Sequence, residues 1–239
     1  MEKLPHEDLI YLADTARVPY GNRAPEEIIE INREILPFLI KEGAKLIVMA
    51  CGTSSAIAYP VLKDEYPVHI ISLIEAGARA AENATRSGRI GLIATAATVN
   101  SGAYPQAIKG QVFSAACPLF VPLIEGGFVD SDETRKVAKE YLKPLLKEDI
   151  DTLILGCTHY PHLANLIKEI VGNNVTLVDP AEEVVLDIKK MLKKAGTLKA
   201  ANTPGKCEYF VTGSPLQFVE VGSRLLGRPI PHAKQIALA

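Results

Sequence analysis

The sequence predicts an α/β protein with two similar domains, whose parallel-rich sheets face each other across a central active-site cleft. Two observations predict it. Short apolar runs alternate with helix-periodic segments along almost the whole chain. One phrase also occurs twice, as Leu46-Ile47-Val48-Met49-Ala50-Cys51-Gly52-Thr53 and as Leu153-Ile154-Leu155-Gly156-Cys157-Thr158-His159. Each copy is an apolar run that stops at a small residue, then Cys, with Thr one or two residues on. Such a run reads as a buried parallel strand and its sequel as the opening of a helix. A cysteine at that junction lies at the carboxyl end of a strand, where open α/β sheets bind ligands.

Strands are expected at Leu9 to Leu12, Leu46 to Met49, His69 to Leu73, Ile90 to Ala94, Leu153 to Leu155, Val175 to Val178 and Tyr209 to Val211. The first helix is expected over Pro25 to Lys41, with Ile28, Ile31, Ile35 and Leu39 on one stripe. Pro25 suits its first turn and Gly43 its exit, while Pro37 should kink or shorten it. Further helices are expected at Glu75 to Arg86, Asp132 to Lys147, Leu163 to Val171, Ala181 to Lys194 and Leu216 to Leu226. Gly126 to Ser131 reads as a surface loop or lid hinge. Lys189, Lys190, Lys193 and Lys194 read as a solvated helix face.

Composition bounds the function. With 239 residues the chain can bury a sizeable core, and 48% apolar with 23% charged residues is ordinary for a globular protein. A net charge of −2 gives no reason to expect nucleic acid or an anionic membrane as partner. No apolar run approaches the roughly 18–20 residues that span a bilayer. The opening Met1-Glu2-Lys3-Leu4-Pro5-His6 has no apolar h-region, so a cytoplasmic location with reduced thiols is expected.

A free cysteine is commonly a small buried hydrophobe, and Cys117 and Cys207 are read that way. Cys51 and Cys157 differ in sharing one context. The positive end of a helix dipole would favour thiolate over thiol at each. Neither has a second Cys at CxxC spacing, so no metal site is expected and a thiol redox role is remote. Two opposed thiols suit proton removal from one face of a carbon and delivery to the other, which is racemisation without a cofactor. Hydroxyls and backbone N–H groups after each Cys suit a carboxylate, although Thr and Ser there also serve as plain N-caps.

Several stretches resemble glutamate racemase, of the aspartate/glutamate racemase family. They are Ala13-Asp14-Thr15-Ala16-Arg17-Val18-Pro19-Tyr20-Gly21, Ile74-Glu75-Ala76-Gly77-Ala78-Arg79-Ala80, Ser101-Gly102-Ala103-Tyr104, Ala116-Cys117-Pro118-Leu119-Phe120-Val121-Pro122-Leu123 and Leu155-Gly156-Cys157-Thr158-His159-Tyr160-Pro161. They run in the family's order over nearly the whole chain. The resemblance implies one domain at 1–74 with 179–239 and a second, inserted one at 75–178. It makes Cys51 and Cys157 the catalytic acid/bases, assisted by His159 and Glu125. It makes Pro19, Tyr20, Gly21, Gly52, Thr53, Thr95, Thr98, Thr158 and His159 the substrate-binding set. Glutamate is the implied small-molecule substrate, with no cofactor or metal, and D-glutamate for peptidoglycan the implied product. A homodimer is one option for the assembly.

Two departures from the family bear on this reading. Gly52 stands where the family usually has Asn, which offers the substrate only backbone and leaves aspartate as an alternative substrate. The family's opening strand and Asp-Ser-Gly loop have no counterpart in the sequence. The expectation is a chain that starts at an internal Met of a longer protein, or an impaired relative that only binds ligand. A missing central strand would leave unpaired sheet edges.

Overall fold

The computed structural model describes residues 3–200 and 203–238. Every β-ladder among them is parallel. The first region supplies β1 (Leu9–Ala13), α1 (Pro25–Lys41), β2 (Leu46–Met49), α2 (Gly52–Ile57), α3 (Tyr59–Leu62) and β3 (His69–Ser72). The middle region supplies α4 (Leu73–Ala84), β4 (Arg89–Ala94), α5 (Ala96–Asn100), α6 (Ala103–Ala107), β5 (Gln111–Ala116) and α7 (Phe120–Glu125). It continues with α8 (Asp132–Leu146), β6 (Thr152–Leu155), α9 (Ala164–Val171) and β7 (Thr176–Val178). The chain then adds α10 (Pro180–Lys194), β8 (Cys207–Val211), α11 (Pro215–Leu226) and the short β9 (Lys234–Gln235).

The middle strands form one sheet in the order β5-β4-β6-β7. Leu92, Ile93, Leu153 and Ile154 on its central strands are fully buried, because helices cover both faces. On one face Phe120 meets Tyr160 edge-on at 5.1 Å, among Leu142, Leu163 and Ile167. The remaining strands form two separate sheets, β1-β8-β9 and β2-β3, so β1 and β2 each carry an edge without a strand partner among the described residues. Tyr11 on the β1 edge is 43% exposed and stacks on Phe218 of α11.

Local chemistry explains the boundaries. Ser72, Ser131, Asp179 and Ser214 each accept a backbone N–H at a helix start. Capping by Ser72 starts α4 at Leu73, two residues before the expected Glu75. Pro37 does not shorten α1, which runs 17 residues through it with Pro37 exposed. The buried face of α1 is Ile28, Ile31, Asn32 and Leu36, whereas Ile35 is only half-buried. Asn32 can be buried there because its amide donates to the Ile28 carbonyl at 2.7 Å and to Ser54 Oγ at 3.2 Å. Strand β5 is absent from the sequence-based expectation. It is an edge strand with a partly exposed pattern, and Ser114, Ala115 and Ala116 give it no apolar run. No helix among the described residues is long and apolar enough to cross a membrane.

Candidate active site

Helix α2, which opens directly after Cys51, brings the two cysteine segments together. Its Ala56 packs in one cluster with Leu92, Ala94 and Ile154 of the middle sheet. That packing lays Gly52 against the start of the second cysteine segment. A Cβ on Gly52 would sit 2.4 Å from the Gly156 carbonyl oxygen and 3.9 Å from the Cys157 Cα. Only glycine permits this approach, because the obstacle is backbone. Cys51 is half-buried and Cys157 is 8% exposed.

Cys157 lies two residues beyond the end of β6, with His159 beside it. The Cys157 sulfur lies 3.7 Å from His159 Nδ1, and His159 Nε2 lies 3.0 Å from Glu125 Oε1 at the end of α7. The hydrogen bond to His159 holds the Glu125 carboxyl below its usual pKa. Burial pushes the Cys157 thiol up to about 12, against the opposing pull of the His159 backbone N–H, and the neighbouring Cys51 and Glu125 raise it further. Here the sequence-based expectation is corrected. Cys157 is not tuned toward thiolate, because it is buried and no α-helix opens behind it. A 3-10 turn, Tyr160–Leu163, intervenes, and α9 starts only at Ala164. Cys51 does precede a helix, as expected.

The polar candidates bridge the same seam. Thr53 Oγ1 lies 2.9 Å from Thr95 Oγ1, which lies 2.9 Å from Thr98 Oγ1. Thr95 also accepts the Thr98 backbone N–H and so caps α5, which makes it both an N-cap and part of the hydroxyl chain. The turn Tyr20–Asn22 presses on this chain, since a Cβ at Gly21 would stand 3.0 Å from the Thr95 Cβ. Pro19 and Thr158 are exposed at the rim, and Thr158 helps line a crevice beside Cys157 with Leu73, Tyr104 and Asp179. The Tyr20 hydroxyl donates to Asp14 at 2.5 Å, and burial together with that carboxylate raises its pKa. Cys117 is a fully buried core residue whose carbonyl accepts the Tyr160 hydroxyl at 2.9 Å. Cys207 opens β8. Asp14 was not among the sequence-derived site residues, although it is the second residue of the Ala13-to-Gly21 stretch that the sequence singles out.

A parallel α/β fold with two thiols just past strand ends, each with a threonine within two residues, is the arrangement of a racemase. The chain belongs to the Asp/Glu/hydantoin racemase family, whose model matches residues 2–187. Its curated relatives include the glutamate racemases of Geobacter metallireducens, 42% identical over 100% of this chain and 90% of the relative, and of Gloeobacter violaceus, 47% identical over 99% and 89%. Among solved structures, glutamate racemase isoform RacE1 from Bacillus anthracis superposes with a TM-score of 0.95 at 37% identity, covering 99% of this chain and 90% of that one. Glutamate racemase from Francisella tularensis, solved with D-glutamate, superposes with a TM-score of 0.92 at 35% identity over the same shares.

Proposed function

We propose that the protein is a cofactor-independent glutamate racemase in which Cys51 and Cys157 exchange protons with the two faces of the substrate Cα. The observation that carries this reading is the meeting of the two cysteine segments at Gly52 and Gly156. In one direction the Cys51 thiolate takes the Cα proton while the Cys157 thiol delivers its own to the opposite face. The cysteines then hold reversed protonation states, and the next turnover can run the other way. Both enantiomers have the same energy, so one site must serve both directions equally. Raised by burial, Cys157 is well suited to rest as the acid. His159, held by Glu125, is placed to stabilise the thiolate that remains after delivery.

The Cα proton is a weak acid, so the carboxylate must be gripped as charge develops next to it. Backbone N–H groups at the starts of α2 and α5, with Thr53, Thr95, Thr98 and Thr158, supply that grip, and Pro19, Tyr20 and Gly21 close the site from β1. This reading treats 75–178 as the second domain and 1–74 with 179–239 as the first. It makes D-glutamate for peptidoglycan in the cytoplasm the product's destination. Chiral analysis of L-glutamate incubated with the protein tests the proposal. The enantiomers should approach equal amounts, with L-aspartate a far poorer substrate. Preferential racemisation of aspartate, or none of either, would contradict it.

A further inference from the structure

Asp14 directly follows β1, and its carboxylate side chain is only 3% exposed. A buried carboxylate is costly unless its lone pairs are filled, and here three donors fill them. Arg17 Nε donates to Oδ2 at 2.7 Å, the Tyr20 hydroxyl to the same oxygen at 2.5 Å, and the Thr212 hydroxyl to Oδ1 at 2.7 Å. Thr212 in turn accepts the Ala16 backbone N–H at 3.0 Å, and Arg17 reaches on to Glu34 of α1 at 2.6 Å. The Arg17 carbonyl accepts Arg23 Nε at 2.8 Å, which closes the loop on itself. Arg17, Tyr20 and, through Thr212, Ala16 are thus all tied to one carboxylate, while Arg23 pairs in addition with Glu27. That segment presses Gly21 onto Thr95, and Thr95 passes the contact to Thr53, two residues from Cys51.

We infer that Asp14 is a positioning residue of the active site: through Tyr20 and Arg17 it fixes the Tyr20–Asn22 turn at the height where it meets Thr95 and the substrate. The inference deepens the racemase reading and rests on it. It also reassigns Tyr20. With its hydroxyl bonded to Asp14, the phenol anchors the loop from behind, and the backbone of Tyr20 and Gly21 is what the turn offers to a ligand.

Asp14→Asn is the informative variant, because an amide offers one acceptor oxygen to three donors that now share two. Tyr20→Phe removes a single strut, and Glu34→Gln, which loosens only the outer partner of Arg17, serves as control. Amide hydrogen exchange at Tyr20 to Arg23, and D-glutamate binding by calorimetry, are measured on the full chain. Asp14→Asn should speed exchange at Tyr20 to Arg23 while β4 stays protected, and should weaken D-glutamate binding about tenfold. Tyr20→Phe should do the same in part, and the double variant should bind no worse than Asp14→Asn alone, since both act through one bond. Glu34→Gln should leave binding near wild type. Unchanged exchange in Asp14→Asn, or faster exchange with unchanged affinity, would overturn the inference. Wild-type protein that binds no glutamate would overturn the functional reading instead, and the exchange comparison would still decide the anchoring.

Discussion

The four cysteines of the chain divide by what surrounds each sulfur. Cys117 is closed in by Phe120, Leu155 and Tyr160, whereas Cys51 sits half-exposed at a helix start and Cys157 faces His159. Cys51→Ala or Cys157→Ala should therefore abolish racemisation, Cys51→Ala with the fold near wild-type stability and Cys157→Ala with only the packing of one buried sulfur lost, and Cys117→Ala and Cys207→Ala should keep activity. Equal losses across all four, read by activity and melting temperature together, would mean that the effects act through folding. Burial of Cys157 also has a pH signature. Its folded pKa, about 12, lies above the unfolded value near 9, so over that window the unfolded state binds fewer protons. Stability is then independent of this group below about pH 9 and falls as pH rises toward 12. Cys157→Ala should show a shallower loss of denaturation midpoint between about pH 9 and 11 than wild type. An equal slope would show that the thiol is better solvated than the structure places it. Both cysteines were legible in the sequence because the phrase around them is repeated. The raised Cys157 pKa was not, since it comes from burial by residues that the sequence does not place around a strand-end Cys.

At the scale of elements, α2 is the piece that makes one site out of two segments. Its apolar Ala56 docks on the middle sheet, and its first residue must then lie against the Gly156 carbonyl. Gly52→Ala should push the two cysteine loops apart. Overpacking of this kind typically costs about 1–3 kcal/mol, and here it should also reduce turnover out of proportion to stability. A melting curve and kcat/KM at the same temperature check this, and an Ala variant with wild-type values of both would refute the close approach. The long helices and buried strands could be read from apolar periodicity and caps. The short helices α2, α5, α6 and α7 could not, because five or six residues hold too few turns to show a period. Edge strand β5, half-exposed and built of small residues at its end, escaped for the same lack of pattern. Asp14 escaped because one acidic residue after a strand looks like a solvated turn, and only the fold shows Thr212, 198 residues away, closing over it.

For the whole molecule, the two cysteine segments meet only because residues more than 100 positions apart in the chain are folded onto one seam. The strands outside the middle region divide into two sheets, whereas the middle sheet is continuous and its central strands are fully buried. The central claim is that two protein thiols, each able to exchange with solvent, carry the proton across the Cα. Racemisation in deuterated water, followed by NMR from either pure enantiomer, tests it most directly. The account predicts deuterium at Cα in the newly formed enantiomer from the first turnovers, little in the remaining substrate, and no change of rate on adding pyridoxal phosphate. Product that keeps its original Cα hydrogen would contradict a two-thiol mechanism.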